Sequence, residues 1–298
     1  GGPSRLLGRN ESAPPAEAAF VNGVAAHALD FDDYTFVPVH PSAPTVPALI
    51  AVADSTPAPV DGRSAIVAYV AGFETICYLA EPMGAEHQEH GWHSTGTLGA
   101  FGAAAAASSV LDLDSPQVET ALNVVASMAA GLMQNSGSMT KPLHAGQAAR
   151  SGVTAALLAA GGYTADERAI TGPQGFFQLF RGQKDPTLDD LPTLGRDWAL
   201  VEKSIGFKKY PACAMLQSGI EAASILAGEE SIDPDRVDSI HVGASQNSKN
   251  VCHYGVPRTG LEAKFSMPYA VAVGLLRDQV GLDDFDEDIS LDAPTEQL

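Results

Sequence analysis

Residues 137–152 read GSMTKPLHAGQAARSG. Lys141 and His144 stand at the entrance to a helix that runs on through Ala148, Ala149, Gly152 and Ala155, a face of small side chains at helical spacing. Pro142 suits the first turn, where its missing N–H forfeits no hydrogen bond. A helix with such a face can pack closely on its neighbours, so the stretch predicts an interior helix of a helical domain. Its lysine lies at a helix N-terminus, where free N–H groups and the dipole already favour anions. Two readings follow: a carboxylate or phosphate site, or an exposed lysine beside an ordinary helix start.

Outward from this stretch the same texture repeats. Pro15 opens a helix to Ala28, with Phe20 and Val24 one turn apart. Thr45–Asp54 is a short apolar helix, and Asp61 caps a long one to about Met83. Gly84–His93 is a polar, His-rich loop. Thr95–Leu111 is a helix packed with Gly and Ala, and Asp114-Ser115-Pro116 starts another to about Gln134. The central helix then ends at Gly161-Gly162. Small faces and short connections predict an all-helical domain over residues 1–184. The texture changes after Gln183. Asp185–Asp197 reads as a linker, Trp198–Ser204 as a possible strand, and Ala214–Ala227 as a helix. Arg236–Gly243 (RVDSIHVG) alternates as a strand should, and Ala263–Leu276 is a helix. These predict a smaller α+β domain over 198–298, incomplete at its far end, so the fold class is mainly α.

The chain has 298 residues, 45% hydrophobic and 18% charged, which is a globular composition. Asp and Glu number 36 against 17 Lys and Arg, for a formal net charge of −19. That excess argues against nucleic acid or an anionic membrane as a partner. Cys77, Cys213 and Cys252 are too scattered for a zinc knuckle, and the odd count argues against a disulfide framework. No stretch reads as a signal peptide, and none is clean enough to span a membrane. The expected location is the cytoplasm.

Several groups could carry chemistry. His27, Asp30, Asp32, Asp33 and His40 fall within fourteen residues. They could be solvated acids at a helix end, an acid/base pair in which a carboxylate orients a histidine, or metal ligands. His87, His90 and His93 have HxxHxxH spacing, but Gly91 and polar neighbours place them in a loop. His93 directly precedes a helix start, where it could contact an anion. Lys208-Lys209 is the only adjacent lysine pair, and Tyr269 lies inside an apolar helix. No GxSxG, P-loop or GxGxxG motif occurs, and three isolated cysteines do not suit an aconitase-type cluster.

Six runs, taken together and in order, resemble the MmgE/PrpD family. They are FVNGVAAHALDFDD (20–33), HPSAPTVPAL (40–49), GWHSTGTLGAFGAAAAAS (91–108), GLMQNSGSMTKPLHAGQAARSG (131–152), KKYPACAMLQSGIEAA (208–223) and EAKFSMPYAVA (262–272). The family includes 2-methylcitrate dehydratase, cis-aconitate decarboxylase and iminodisuccinate epimerase, and its proteins are longer at both ends. The resemblance implies a large helical domain, a smaller α+β lid domain, a homodimer, and an active site in the cleft between the domains. By similarity to cis-aconitate decarboxylase, the site positions are Asp30, Tyr34, His40, His93, Lys141, Lys208, Cys213 and Tyr269. His144 is expected among the substrate-binding residues with His93, Tyr34 and Cys213. Tyr34 stands where that enzyme has threonine, although Thr35 is adjacent. Cys213 stands where it has histidine, and Gln217 replaces another histidine common in the family.

The chemistry implied is removal of a proton α to a carboxylate of a small di- or tricarboxylate, with no metal and no organic cofactor. The negative charge that builds up needs waiting cations, and Lys141, Lys208 and the His93 region are expected to supply them. His40, oriented by Asp30, and Tyr269 are expected to be the base and acid, in either order. The first expectation is a dehydratase of the 2-methylcitrate type. An epimerase or decarboxylase of the same family, or an inactive carboxylate binder, are the alternatives.

Overall fold

The structure is a computed structural model. It describes residues 1–36, 39–181, 194–203, 205–230, 232–233, 236–286 and 289. Most of the expected linker, residues 185–193, and the acidic tail from 290 lie outside the described residues. The chain is mainly helical and divides into two compact units. The first comprises Gly1–Ala28, Asp32–Gln134 and Lys141–Phe207. The second comprises Leu29–Phe31, Asn135–Thr140 and Lys208–Leu298.

In the first unit a two-residue hairpin, β1 (Ser4–Arg5) with β2 (Ser12–Ala13), precedes helix α1 (Pro15–His27). Strand β3 (Asp33–Thr35) leads to α2 (Ser42–Ala53) and α3 (Gly62–Met83), the latter capped by Asp61, which accepts the Ser64 N–H at 2.8 Å. Then come α4 (Glu86–Glu89), α5 (Ser94–Val110), α6 (Ser115–Ala126), α7 (Thr140–Ala160), α8 (Phe176–Arg181), α9 (Ala199–Glu202) and β4 (Ile205–Phe207). β4 pairs antiparallel with β3, Tyr34 opposite Gly206. The innermost element is α5, buried without a break from Ser94 to Ser108, rather than α7. It lies against α2, α3 and α6. Phe73 and Ile76 of α3 and Leu98 and Phe101 of α5 are fully buried, each worth about 1.5–3 kcal/mol of transfer free energy.

Three local readings change in the first unit. Gly84–His93 contains the short helix α4. The helix expected to reach Gln134 stops at Ala126, and a 3₁₀ turn, Met133–Asn135, follows Gly131, whose φ of 153° suits glycine. Trp198–Ser204 contains α9, because the buried Glu74 carboxylate accepts the Ala199 and Leu200 N–H groups, both at 3.0 Å, and so nucleates a helical turn. By length and composition α3 could cross a membrane, contrary to expectation. Its apolar face packs on α5, and it carries Glu74 inward.

The second unit is built around α10 (Gln217–Glu230) and α13 (Met267–Leu276), which pack on each other, with α11 (Gln246–Val251) and α12 (Gly260–Ala263) beside them. The helix expected over Ala263–Leu276 is two helices. Ser266 breaks it by capping α13, its Oγ accepting the Tyr269 N–H. Arg236–Gly243 is not a strand. No neighbouring strand among the described residues offers it a hydrogen-bond ladder, which alternation alone cannot replace.

Candidate active site

Two glycines set the first unit's site. A Cβ on Gly23 of α1 would stand 2.8 Å from the Gly146 Cα of α7, and a Cβ on Gly146 would stand 2.5 Å from the Phe20 carbonyl oxygen. The two helices therefore touch backbone to backbone. One turn beyond Gly23, α1 ends at His27, and the first turn of α7 holds Lys141. The Lys141 Nζ lies 2.9 Å from His27 Nε2. His27 Nδ1 lies 2.6 Å from Asp32 Oδ2. An ammonium group can only donate, so His27 accepts at Nε2 and carries its proton at Nδ1, which donates to the Asp32 carboxylate. Lys141 is 6% exposed and His27 1%. The reading of Lys141 as an exposed lysine is thereby corrected, and His27 and Asp32 become its supports.

Three more imidazoles surround this chain. His40 Nδ1 donates to the Asp33 carbonyl at 2.7 Å, with Asp32 Oδ1 3.6 Å away, and the His40 N–H donates to Thr95 Oγ1. The orienting groups shown for His40 are thus the Asp33 main chain and Asp32, where the sequence suggested Asp30. This tautomer makes His40 Nε2 the basic nitrogen. Asp33 itself accepts from Ser42, and burial raises its carboxyl to about 6. His93 precedes α5, and its ring stacks 5.9 Å from His27. Its Nδ1 is 3.0 Å from His144 Nδ1. Burial, and then the Lys141 charge and the neighbouring imidazoles, hold His93 well below its usual range. Burial, then His27 and Lys141, lower His144 to about 4. His93 and His144 are therefore neutral at pH 7, a correction to the expectation that the His93 region supplies positive charge. In this cluster the cation is Lys141. Tyr34 lies half-buried over Gly206, a packing role.

The HxxHxxH run is not one face of ligands. His87 accepts from Thr97 and donates to the Phe180 carbonyl, and burial lowers it to about 4. His90 donates to the Glu86 carbonyl and is exposed. Only His93 of the three joins the cluster. Ring nitrogens of His27, His40 and His93 do lie within 4.8 Å of one another.

The second unit carries its own buried charges. Lys208 Nζ donates to Asp30 Oδ1 at 2.6 Å and to the Asp30 carbonyl at 3.0 Å, both side chains being almost fully buried. Asp30 adopts φ +50°, a left-handed conformation that aspartate tolerates better than most residues. Lys209, next in sequence, points outward to Glu221. Gln217 clasps the loop between them and α10. Its Oε1 accepts the Lys209 and Tyr210 N–H groups, and its Nε2 donates to the Tyr210 and Ala212 carbonyls. The departure from histidine at 217 therefore has a structural role. Cys213 is buried, its N–H bonded to the Lys264 carbonyl. Tyr269 is 7% exposed and its phenol donates to the Asp284 carbonyl. Lys264, which sequence reading passed over inside EAKFSMPY, is 4% exposed and donates to the Pro211 carbonyl at 3.0 Å.

Fold and side chains together define a two-unit helical protein with a buried lysine–imidazole–carboxylate chain. The family profile for the MmgE/PrpD N-terminal domain matches residues 1–189, and that for the MmgE/PrpD C-terminal domain matches 210–298. The chain belongs to the MmgE/PrpD family. Among curated relatives, cis-aconitate decarboxylase of Homo sapiens is 31% identical over 204 residues, 67% of this chain and 42% of that protein. Cis-aconitate decarboxylase of Aspergillus terreus is 28% identical over 314 aligned positions, covering 98% of this chain and 64% of that protein. The cis-aconitate decarboxylase-like protein oryM of Aspergillus oryzae is 31% identical, covering 94% and 62%. The chain thus spans less than two thirds of the relatives it matches.

Proposed function

We propose that the protein is a cofactor-independent lyase that removes a proton α to a carboxylate of a small di- or tricarboxylate, most simply a dehydratase of the 2-methylcitrate type. The observation that carries this reading is the Lys141 ammonium held by His27 and Asp32 beside His40. A buried point charge with its own proton acceptor behind it suits a carboxylate whose negative charge grows as the α-proton leaves. His40, its Nδ1 committed to the Asp33 carbonyl, takes the proton at Nε2. The C–H electron pair becomes the new C=C bond as the C–O bond breaks, and the departing hydroxyl receives a proton and leaves as water. Tyr269 is the proposed donor, once its bond to the Asp284 carbonyl is released. Neutral His93 and His144 hydrogen-bond the substrate rather than neutralise it. Lys208 is assigned to the same charge-stabilising machinery. A homodimer in the cytoplasm, working without metal, completes the proposal.

A second reading, decarboxylation, is favoured by the names of the relatives. Tyr34 replaces a threonine and Cys213 a histidine of that enzyme, which weighs against decarboxylation and says little against dehydration or epimerisation. The full-length protein should be offered 2-methylcitrate, citrate, cis-aconitate and iminodisuccinate, with products followed by proton NMR. Loss of water from 2-methylcitrate or citrate is the expected outcome. Carbon dioxide released from cis-aconitate would select decarboxylation, and turnover of none of the four would overturn the reading.

A further inference from the structure

The histidine cluster of the first unit supports an inference that does not depend on the reaction above. In each of three histidines Nδ1 is already engaged: His27 on Asp32 Oδ2 at 2.6 Å, His40 on the Asp33 carbonyl at 2.7 Å, and His93 on His144 Nδ1 at 3.0 Å. Metal-binding histidines are held in this way, one ring nitrogen on a carboxylate, carbonyl or other acceptor so that the other faces the ion. The three rings offer nitrogens within 4.8 Å of one another. A cation already stands against one of them, the Lys141 ammonium 2.9 Å from His27 Nε2.

We propose that His27, His40 and His93 bind one borderline divalent cation of the zinc class, in exchange for the Lys141 ammonium. Three imidazoles and a water make a tetrahedral set of the kind that keeps one position open. Metal–nitrogen bonds of about 2.0–2.1 Å place the nitrogens about 3.3 Å apart, so the rings close in by up to about 1.5 Å. His93 takes the tautomer that donates through Nδ1 to His144. Asp32, behind His27, balances part of the added charge. All three ligands are imidazoles, so magnesium and calcium, which prefer oxygen, are poor occupants. Bound metal displaces the Lys141 ammonium from His27 Nε2.

The test uses the untagged full chain and no turnover assay. Cobalt(II) is titrated in and its visible spectrum recorded, and zinc binding is measured by calorimetry. The expected result is the intense absorption of four-coordinate cobalt and one zinc per chain. Each of His27→Ala, His40→Ala and His93→Ala should weaken zinc binding at least tenfold, while His90→Ala, at an exposed histidine, leaves it unchanged. Lys141→Met should tighten binding at least tenfold, a gain that a damaged fold does not produce. Octahedral cobalt in the wild type, wild-type affinity in the three histidine variants, or no gain in Lys141→Met would each overturn the proposal.

Discussion

Lys141 Nζ lies 2.9 Å from His27 Nε2, and the two residues are brought there by a backbone contact between Gly23 and Gly146. The consequence runs from sequence to chemistry. Small residues let two helices touch, the touching helices place an ammonium on an imidazole, and Asp32 fixes the proton on the far side of that imidazole.

Gly146→Ala therefore tests the packing link. The new methyl would lie 2.5 Å from the Phe20 carbonyl and must force the helices apart. We expect a loss of about 1–3 kcal/mol in urea unfolding. Turnover should fall by more than the folded fraction does, because Lys141 and His27 separate. Unchanged stability and activity would mean that the contact is not as tight as described.

Lys141→Ala should lower kcat by roughly a hundred- to a thousandfold, corresponding to a lost donor of about 3–4 kcal/mol. The loss should persist at saturating substrate. Lys141→Arg should not restore it, because a forked guanidinium is larger than the point charge the His27 pocket accepts. Stability should also fall, since Lys141 is buried and leaves the His27 nitrogen without its donor.

His27→Ala and Asp32→Asn act through Lys141. A misplacement of about 1 Å can cost about a hundredfold, so kcat should fall up to that far with KM little changed. The pH profile of kcat should shift in both variants, which a merely structural role would not produce. Steady-state kinetics from pH 5 to 9 would decide.

How much of this was legible beforehand follows from what each signal depends on. The helical domain was readable because small-residue faces, Asp61 and Asp114 caps and first-turn prolines are local. Arg236–Gly243 misled because a strand also needs a neighbour, which no local pattern supplies. In the site, Lys141 and His40 were found from motif runs. His27 and Asp32 belong to the same cluster of acids and histidines as His40 without standing out from it, because which of three nearby acids meets which histidine depends on where α1 stops. Lys208 and Lys209 could not be told apart by type, since the inward one is decided by Asp30 and the outward one by Glu221. Lys264 had a usable signal, the one lysine in the run EAKFSMPYAVA, whose only other charge is Glu262.

Asp30 and Lys208 form an almost fully buried pair, so removing one partner strands the other's charge. Asp30→Asn, which keeps the shape and tolerates φ +50°, and Lys208→Met should each cost about 3–5 kcal/mol. The double variant should cost less than the sum, with a coupling of about 0.5–3 kcal/mol. Additive losses in chemical denaturation would contradict the pairing.

His87 makes stability depend on pH in a definite direction. Burial lowers its folded value from 6.5 to about 4. The unfolded chain therefore takes up the proton first, and stability is full above about pH 6.5, declines as pH falls towards 4, and loses nothing more below that. The loss should approach about 3 kcal/mol. Urea unfolding of the wild type and His87→Gln at pH 7.5 and 4.5 should show a smaller decline in the variant. Equal declines would place the acid sensitivity elsewhere.

The claim that His40 and Lys141 perform proton abstraction α to a carboxylate is tested most directly by isotope exchange. The full-length protein is incubated with its carboxylate substrate in D₂O, after prolonged chelation, and deuterium at the α-carbon is followed by NMR. Wild-type protein should incorporate deuterium at one α-position. His40→Ala should abolish the exchange, and Lys141→Ala should slow it at least a hundredfold. Exchange that survives His40→Ala at the wild-type rate, or that disappears from the wild type on chelation and returns with added metal, would contradict the account.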